Sequence, residues 1–203
     1  MEKIEVKNKN LFKNRTQMVI YTILFIACII LFIVIGTKNY KINIPDNERF
    51  ADEYPLVGDK NVFKYVNVLE AHQIASGKKG IVLFGNPSNP WVEYYASIVN
   101  DAALDTGIEE IYYYDFYKDR EQNNGTYKDL VHLLKDYVIV DDLGRSDIYA
   151  PSLLIVSEDK VLLFDMETSF AIASDSPSNY WSNSKKGLKY TELRNIFSIY
   201  KGI

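Results

Sequence analysis

The strongest hydrophobic pattern in the chain is Met18 to Gly36, nineteen consecutive residues without a charge. A helix of that length reaches about 30 Å, the depth of a bilayer core. The pattern predicts one transmembrane helix over 18–36. Residues 1–17 ahead of it form a polar, basic segment with Lys3, Lys7, Lys9, Lys13 and Arg15 against Glu2 and Glu5. The positive-inside rule then leaves the N-terminus cytoplasmic and the rest of the chain outside the cell. Lys38 and Lys41 weaken this asymmetry without reversing it. A cleaved signal sequence has a shorter apolar region and a small-residue site after it. The stretch Gly36-Thr37-Lys38-Asn39-Tyr40-Lys41 fits that poorly, so the span reads as an uncleaved single-pass anchor. Ile26-Ala27-Cys28 faintly resembles a lipoprotein box, but there the cysteine closes the apolar run, and here the run continues past it.

Beyond the span, residues 37–60 show little periodicity and read as a juxtamembrane linker, with a folded domain over 61–203. Phe63–Val66 is a short strand. Asn67-Val68-Leu69-Glu70 has the form of a capping box opening a helix that stops at Ser76-Gly77. The apolar run Gly80–Phe84 is a buried central strand. A tight polar loop follows, Asn86-Pro87-Ser88, and then a helix with Asn89 as N-cap and Pro90 as its first residue. That helix runs to about Thr106, with Gly107 as its stop. Ile111–Tyr114 is the next strand, with its tyrosines alternating between sheet faces. After a polar loop over 119–125, Thr126 can cap a helix through Leu133-Leu134. Val138–Val140 reads as an extension or a short extra strand. Ser152–Val156 and Lys160–Phe164 form a hairpin across a polar turn. Residues 168–189 read as a polar loop, and Thr191 can cap a last helix with Leu193, Ile196, Phe197 and Tyr200 on one face. The order β-α-β-α-β-α-β-β-α predicts an α+β sandwich. Its parallel strands are joined by helices and it ends in an antiparallel hairpin.

Composition narrows the chemistry. With 47% hydrophobic and 14% aromatic residues, the chain of 203 is that of a folded protein. Cys28 is its single cysteine, and it lies inside the apolar span, so the domain can form no disulfide and offers no thiol. His72 and His132 stand far apart without cysteine neighbours, which argues against a zinc site, and no metal or cofactor is expected. Residues 1–17 hold five of the 23 basic and two of the 27 acidic residues, leaving 18 against 25 and a net charge of −7. No basic stripe emerges, so nucleic acid is not an expected partner.

The strand, loop and helix around Phe84-Gly85-Asn86-Pro87-Ser88-Asn89-Pro90-Trp91-Val92 resemble the active-site segment of thioredoxin-like proteins. In that family a Cys-Pro-Trp-Cys-type motif opens the helix, and its cysteine positions fall here on Asn89 and Val92, with Pro90-Trp91 kept between them. Tyr149-Ala150-Pro151-Ser152-Leu153 is similar to the family's cis-proline signature, and Glu158-Asp159-Lys160 to its last hairpin. The similarity covers roughly residues 61–167 and the last helix. It looks closest to the proteins described as bacteriocin-transport accessory proteins. The resemblance implies a thioredoxin-like fold without its redox chemistry. In the family the first cysteine gains reactivity at the helix N-terminus and the second resolves the mixed disulfide. Asn89 and Val92 can do neither.

The resemblance further implies a groove beside the cis-proline loop in which an extended peptide lies. The residues that could keep it are Ser88, Asn89, Trp91, Ala150 and Pro151. The expected function is a membrane-anchored binding or assembly role toward an envelope or secreted polypeptide. The rival readings are an enzyme of other chemistry using the acidic loop Asp141, Asp142 and Asp147, and an accessory subunit of a membrane export complex. As a bare sequence feature, the acidic loop is more simply a solvated turn, since calcium loops space their oxygen ligands more strictly. His132 in a helical stretch reads as a structural histidine rather than a catalytic one. No nucleophile elbow and no phosphate-binding glycine loop is present.

Overall fold

The computed structural model describes residue 15 and residues 17–33, 44–140, 144, 146–172 and 175–202. The chain divides into two units, Met1–Ile44 and Pro45–Ile203. In the first, residues 17–33 form a helix, α1, whose side chains are exposed. At 1.5 Å per residue it is about 25 Å long. No helix among the described residues is long and apolar enough to cross a membrane. The expected span is thus helical over 18–33, while 34–36 lie outside the described residues.

The second unit starts earlier than the pattern suggests. Helix α2 (Asp46–Glu53) belongs to the fold and not to a linker. Its Phe50 is 0% exposed and stacks on Phe63 at 4.0 Å between ring centroids. The helix was hidden because its octet is charged or polar at six of eight positions, with only Phe50 and Ala51 apolar, both of them buried. Asp46 of this helix and Asn61 in the loop before Phe63 also cover a sheet edge. Asp46 Oδ2 accepts the Tyr65 N–H at 3.1 Å, and Asn61 Oδ1 accepts that of Phe63 at 3.2 Å. Both groups belong to strand β1 (Phe63–Tyr65), the sheet's outer strand, where unpaired amides invite aggregation.

The remaining elements are α3 (Val68–Ala75), β2 (Gly80–Gly85), α4 (Pro90–Thr106), β3 (Ile111–Asp115), α5 (Tyr117–Glu121), α6 (Gly125–Leu133), β4 (Ile139–Val140), β5 (Ser146–Asp147), β6 (Ser152–Ser157), β7 (Lys160–Asp165), a 3-10 turn (Glu167–Phe170), α7 (Pro177–Tyr180) and α8 (Asn183–Lys201). The main sheet has the order β1-β3-β2-β6-β7, and β4 pairs with β5 apart from it. Strands β1, β3 and β2 are parallel, while β6 and β7 are antiparallel to their neighbours. This is the mixed α+β arrangement with a terminal hairpin. Glu158 and Asp159 turn the hairpin with φ of 52° and 59°, the positive values that a two-residue hairpin of right-handed twist needs.

Alternation sorts the core into two faces. Ile81, Leu83, Leu153 and Ile155 point into one cluster, which α4 and α8 cover. Val82, Phe84, Leu154 and Val156 point into the other, which α3 and α6 cover. Tyr113 joins the first and Tyr114 the second, as their alternation requires. The capping box on Asn67 and Glu70 is formed, and Gly107 ends α4 in the left-handed region.

Several helix ends differ from the pattern. Residues 117–121 are helical, and Asn124 rather than Thr126 caps α6. The last helix begins at Asn183, capped by Ser182, well ahead of Thr191. Tyr180 and Trp181, expected in a polar loop, are buried in the core.

Gly85 ends β2 directly before the loop that carries the candidate residues. A Cβ there would lie 2.4 Å from Tyr113 Cε2 and 3.0 Å from Val92 Cγ1. Gly85→Ala should therefore lower stability by about 1–3 kcal/mol through overpacking, read as a shifted denaturant midpoint. An unchanged midpoint would mean that the Tyr113 ring can move aside.

Candidate binding groove

The loop after β2 is built from side-chain amides. Asn86 Oδ1 accepts the Ser88 N–H at 2.8 Å, which folds the loop over before the helix. Asn89 then does two jobs with one amide. Its Oδ1 accepts the Trp91 N–H at 3.0 Å as the N-cap of α4, and its Nδ2 donates to the Ala150 carbonyl at 3.0 Å. The bond joins residues far apart in sequence and ties the α4 N-terminus to the loop before β6. The Ala150–Pro151 peptide bond in that loop is cis. Ser152 Oγ donates to the Tyr149 carbonyl and closes the loop from the other side.

Asn89→Ala should cost about 1–2 kcal/mol through loss of the cap, with the cross-loop bond lost as well. Asn89→Asp separates the two roles, since a carboxylate keeps the cap but cannot donate to Ala150. Melting of both variants checks this: Asn89→Asp should lie between wild type and Asn89→Ala. Equal melting of the two variants would show that the link to Ala150 is what matters.

Trp91 is half-buried and not exposed on the surface. Its ring meets Tyr180 edge-on, 5.5 Å between centroids and 68° between planes. One face borders a cavity of about 450 Å³ against Tyr149, Ala150, Pro151, Met166 and Ile172. Of the five residues expected to line a groove, Trp91, Ala150 and Pro151 do so. Asn89 stands behind them through its bond to Ala150, and Ser88 is exposed on the loop outside the lining. Val92 is fully buried and packs in the core. The groove's outer wall, formed by Met166, Thr168, Ala171, Ile172 and Asp175, was not read from the sequence as part of a site. Its one signal was the pair Tyr180-Trp181 in an otherwise polar stretch.

That wall is held by a buried charge cluster. Lys189 of α8 is 6% exposed and Asp165 at the end of β7 is 8% exposed. Lys189 Nζ lies 3.0 Å from Asp165 Oδ2, 3.0 Å from Glu167 Oε2 and 2.7 Å from Glu192 Oε2. Tyr95 of α4 donates to Asp165 Oδ2 at 2.5 Å. Tyr180 donates to both the carbonyl and the carboxylate of Glu167, at 3.0 and 2.8 Å. A continuous path thus runs from Lys189 through Glu167 and Tyr180 to Trp91. Burial opposes the Lys189 charge, but hydrogen bonds and attraction from Glu192, Asp165 and Glu167 outweigh it and raise its pKa. Burial likewise raises the Glu167 carboxyl, but hydrogen bonds from Lys189 and Tyr180 hold it below the usual range. The Tyr95 hydroxyl is pushed up by burial and then by the Asp165 charge.

The acidic loop divides. Asp147 is engaged: Arg120 Nε sits 2.9 Å from its Oδ2, and Tyr127 donates to its Oδ1 at 2.5 Å. Asp141 and Asp142 lie outside the described residues. His132 is exposed on α6, not structural, and borders a second cavity of about 710 Å³ with Arg120, Lys128 and Lys135. Among the described residues, no group of three His, Cys, Asp or Glu side chains could hold a metal ion. Cys28 lies in the first unit, and the second unit contains no cysteine, so the chain has no dithiol pair for thiol–disulfide exchange.

No protein-family model and no curated protein matches this chain.

Proposed function

We propose that the chain is a membrane-anchored, redox-inactive thioredoxin-like protein of the bacterial envelope. Its outer domain binds a polypeptide in the groove between Trp91 and the Ala150–Pro151 loop. The observation that carries this reading is the cavity itself. It is about 450 Å³ and largely apolar, and Trp91 from the start of α4 lines it together with Ala150 and Pro151. Small apolar clefts with a few placed polar groups are where proteins take ligands. The thioredoxin-like assignment rests on the strand order, on the Tyr149-Ala150-Pro151-Ser152-Leu153 stretch leading into β6 and on the Asn89-Pro90-Trp91-Val92 segment at the start of α4. The anchor rests on the uncharged run 18–36 and its basic flank. The rival enzymatic reading loses Asp147, whose carboxylate is occupied by Arg120 and Tyr127.

A photo-crosslinking residue at Tyr149, on the groove rim, tests the binding role in intact membranes. A control at Leu188, 71% exposed on α8, reports unspecific encounter. A discrete polypeptide adduct from position 149 and not from 188 is expected. Matching adducts from both positions would contradict the groove as the binding site. Protease added outside wall-stripped cells should digest the domain, and protection there would overturn the topology.

A further inference from the structure

Among the described residues the groove's lining is mainly apolar and aromatic, with Thr168 polar and Asp175 its one charged side chain. Asp175 Oδ2 accepts the Ile172 N–H at 3.0 Å, which holds the carboxylate at the rim of the wall. Behind the same wall, Asp165, Glu167 and Glu192 surround the single ammonium of Lys189. Lys185 adds one more positive charge, its Nζ 3.3 Å from the centre of the Tyr180 ring. With Arg120 beside the Tyr149 ring and its partner Asp147 counted, five carboxylates against three cationic groups leave the groove's surroundings at a net −2. The chain outside residues 1–17 has the same sign, at −7. A low-dielectric cleft focuses such a field on whatever enters it. Trp91 and Tyr149 line the groove, and aromatic rings attract cations as well as apolar groups; Arg120 already sits 5.5 Å from the centre of the Tyr149 ring.

From this arrangement we infer that the groove selects an apolar peptide segment carrying a basic side chain, the base directed at Asp175 and its apolar neighbours at Trp91, Met166 and Ile172. The inference rests on the binding role proposed above and adds the chemistry of the partner. A basic residue gains attraction at the rim, whereas an acidic one meets like charge in a site that cannot hydrate it well. Apolar residues on either side supply the buried area.

The test uses the full-length chain in detergent micelles and two fluorescein-labelled synthetic hexapeptides, Ser-Leu-Lys-Leu-Val-Ser and the same peptide with Glu for Lys. Binding is read by fluorescence anisotropy. The Lys peptide should bind about five- to tenfold more tightly than the Glu peptide at low salt. The preference should shrink as ionic strength rises and the Debye length falls. Asp175→Asn retains an oxygen for the Ile172 N–H and should bring the two peptides within about twofold of each other. Trp91→Ala should weaken both peptides alike. Equal binding of both peptides by wild type, still dependent on Trp91, would overturn the charge preference and leave the groove role standing. A Lys preference that persists undiminished in Asp175→Asn would place the basic contact elsewhere and also overturn it. Binding of neither peptide would count against the groove role itself.

Discussion

Lys189→Met is expected to destabilise the Pro45–Ile203 unit by about 3 kcal/mol, the cost of removing one partner from a buried ion cluster. The corresponding fall in Tm is roughly 10 °C. Methionine fills much of the volume of the lysine stem, so packing changes little. What changes is electrostatic. Asp165 is 8% exposed and would keep only the Tyr95 hydroxyl as a hydrogen-bonding partner from this cluster. Glu167 would keep Tyr180, and Glu192, at 47% side-chain exposure, can turn to water. The loss therefore comes mainly from one stranded carboxylate. Neutralising it should recover at least half of the stability, so Lys189→Met with Asp165→Asn should melt well above Lys189→Met alone. Equal melting of the single and double variants would show that the lysine acts through packing.

The same cluster sets an acid limit. Glu167 has a folded pKa below its unfolded value of about 4.3. Its contribution is fully present above that unfolded value and is lost as pH falls through the folded one. Lys189 shifts the other way, so its contribution holds below its unfolded value of about 10.4 and is lost only as pH rises through its raised folded value. Stability should thus hold across neutral pH and drop below about pH 4, and Glu167→Gln should remove part of that acid dependence.

Trp91→Ala carries the second large effect. A half-buried indole at a groove between aromatic walls has the features of an interface hot spot, worth about 2 kcal/mol or roughly 30-fold in affinity. Because the ring also packs on Tyr180, the variant should lose stability too. The loss should be about 2 kcal/mol, below the 3–5 kcal/mol of a fully buried tryptophan. Trp91→Phe keeps an edge-on contact with Tyr180 and should recover most of the stability with less of the affinity.

Where one local force decides the structure, the sequence makes it legible. The strands β2, β6 and β7 follow from apolar runs, the start of α3 from a capping box, and the start of α4 from Asn89-Pro90. Elements decided by distant contacts were hidden. Helix α2 has a charged sequence and is organised around Phe50 meeting Phe63, across a turn the pattern cannot see. The early start of α8 depends on Ser182 and on Lys189, a charged residue whose burial is made possible by three acids from β7, the 3-10 turn and α8 itself. Periodicity counts such a lysine as solvent-facing.

The site divides in the same way. Trp91 and Pro151 carried a local signal. The wall of Met166, Ile172 and Asp175 did not, because it is brought to Trp91 by tertiary contacts through Tyr180. The double role of Asn89 was half visible. Its capping oxygen could be read from the residues beside it, while its bond to the Ala150 carbonyl spans two distant loops.

The groove account is tested most directly by the yield of polypeptide crosslinked from position 149, measured per folded molecule in wild type and in Trp91→Ala, with folding scored by melting of the same samples. Yield per folded molecule should fall by about an order of magnitude in the variant while most of the protein stays folded at the assay temperature. Unchanged yield per folded molecule, together with a Tm far below wild type, would make Trp91 a core residue and contradict a binding role for the groove.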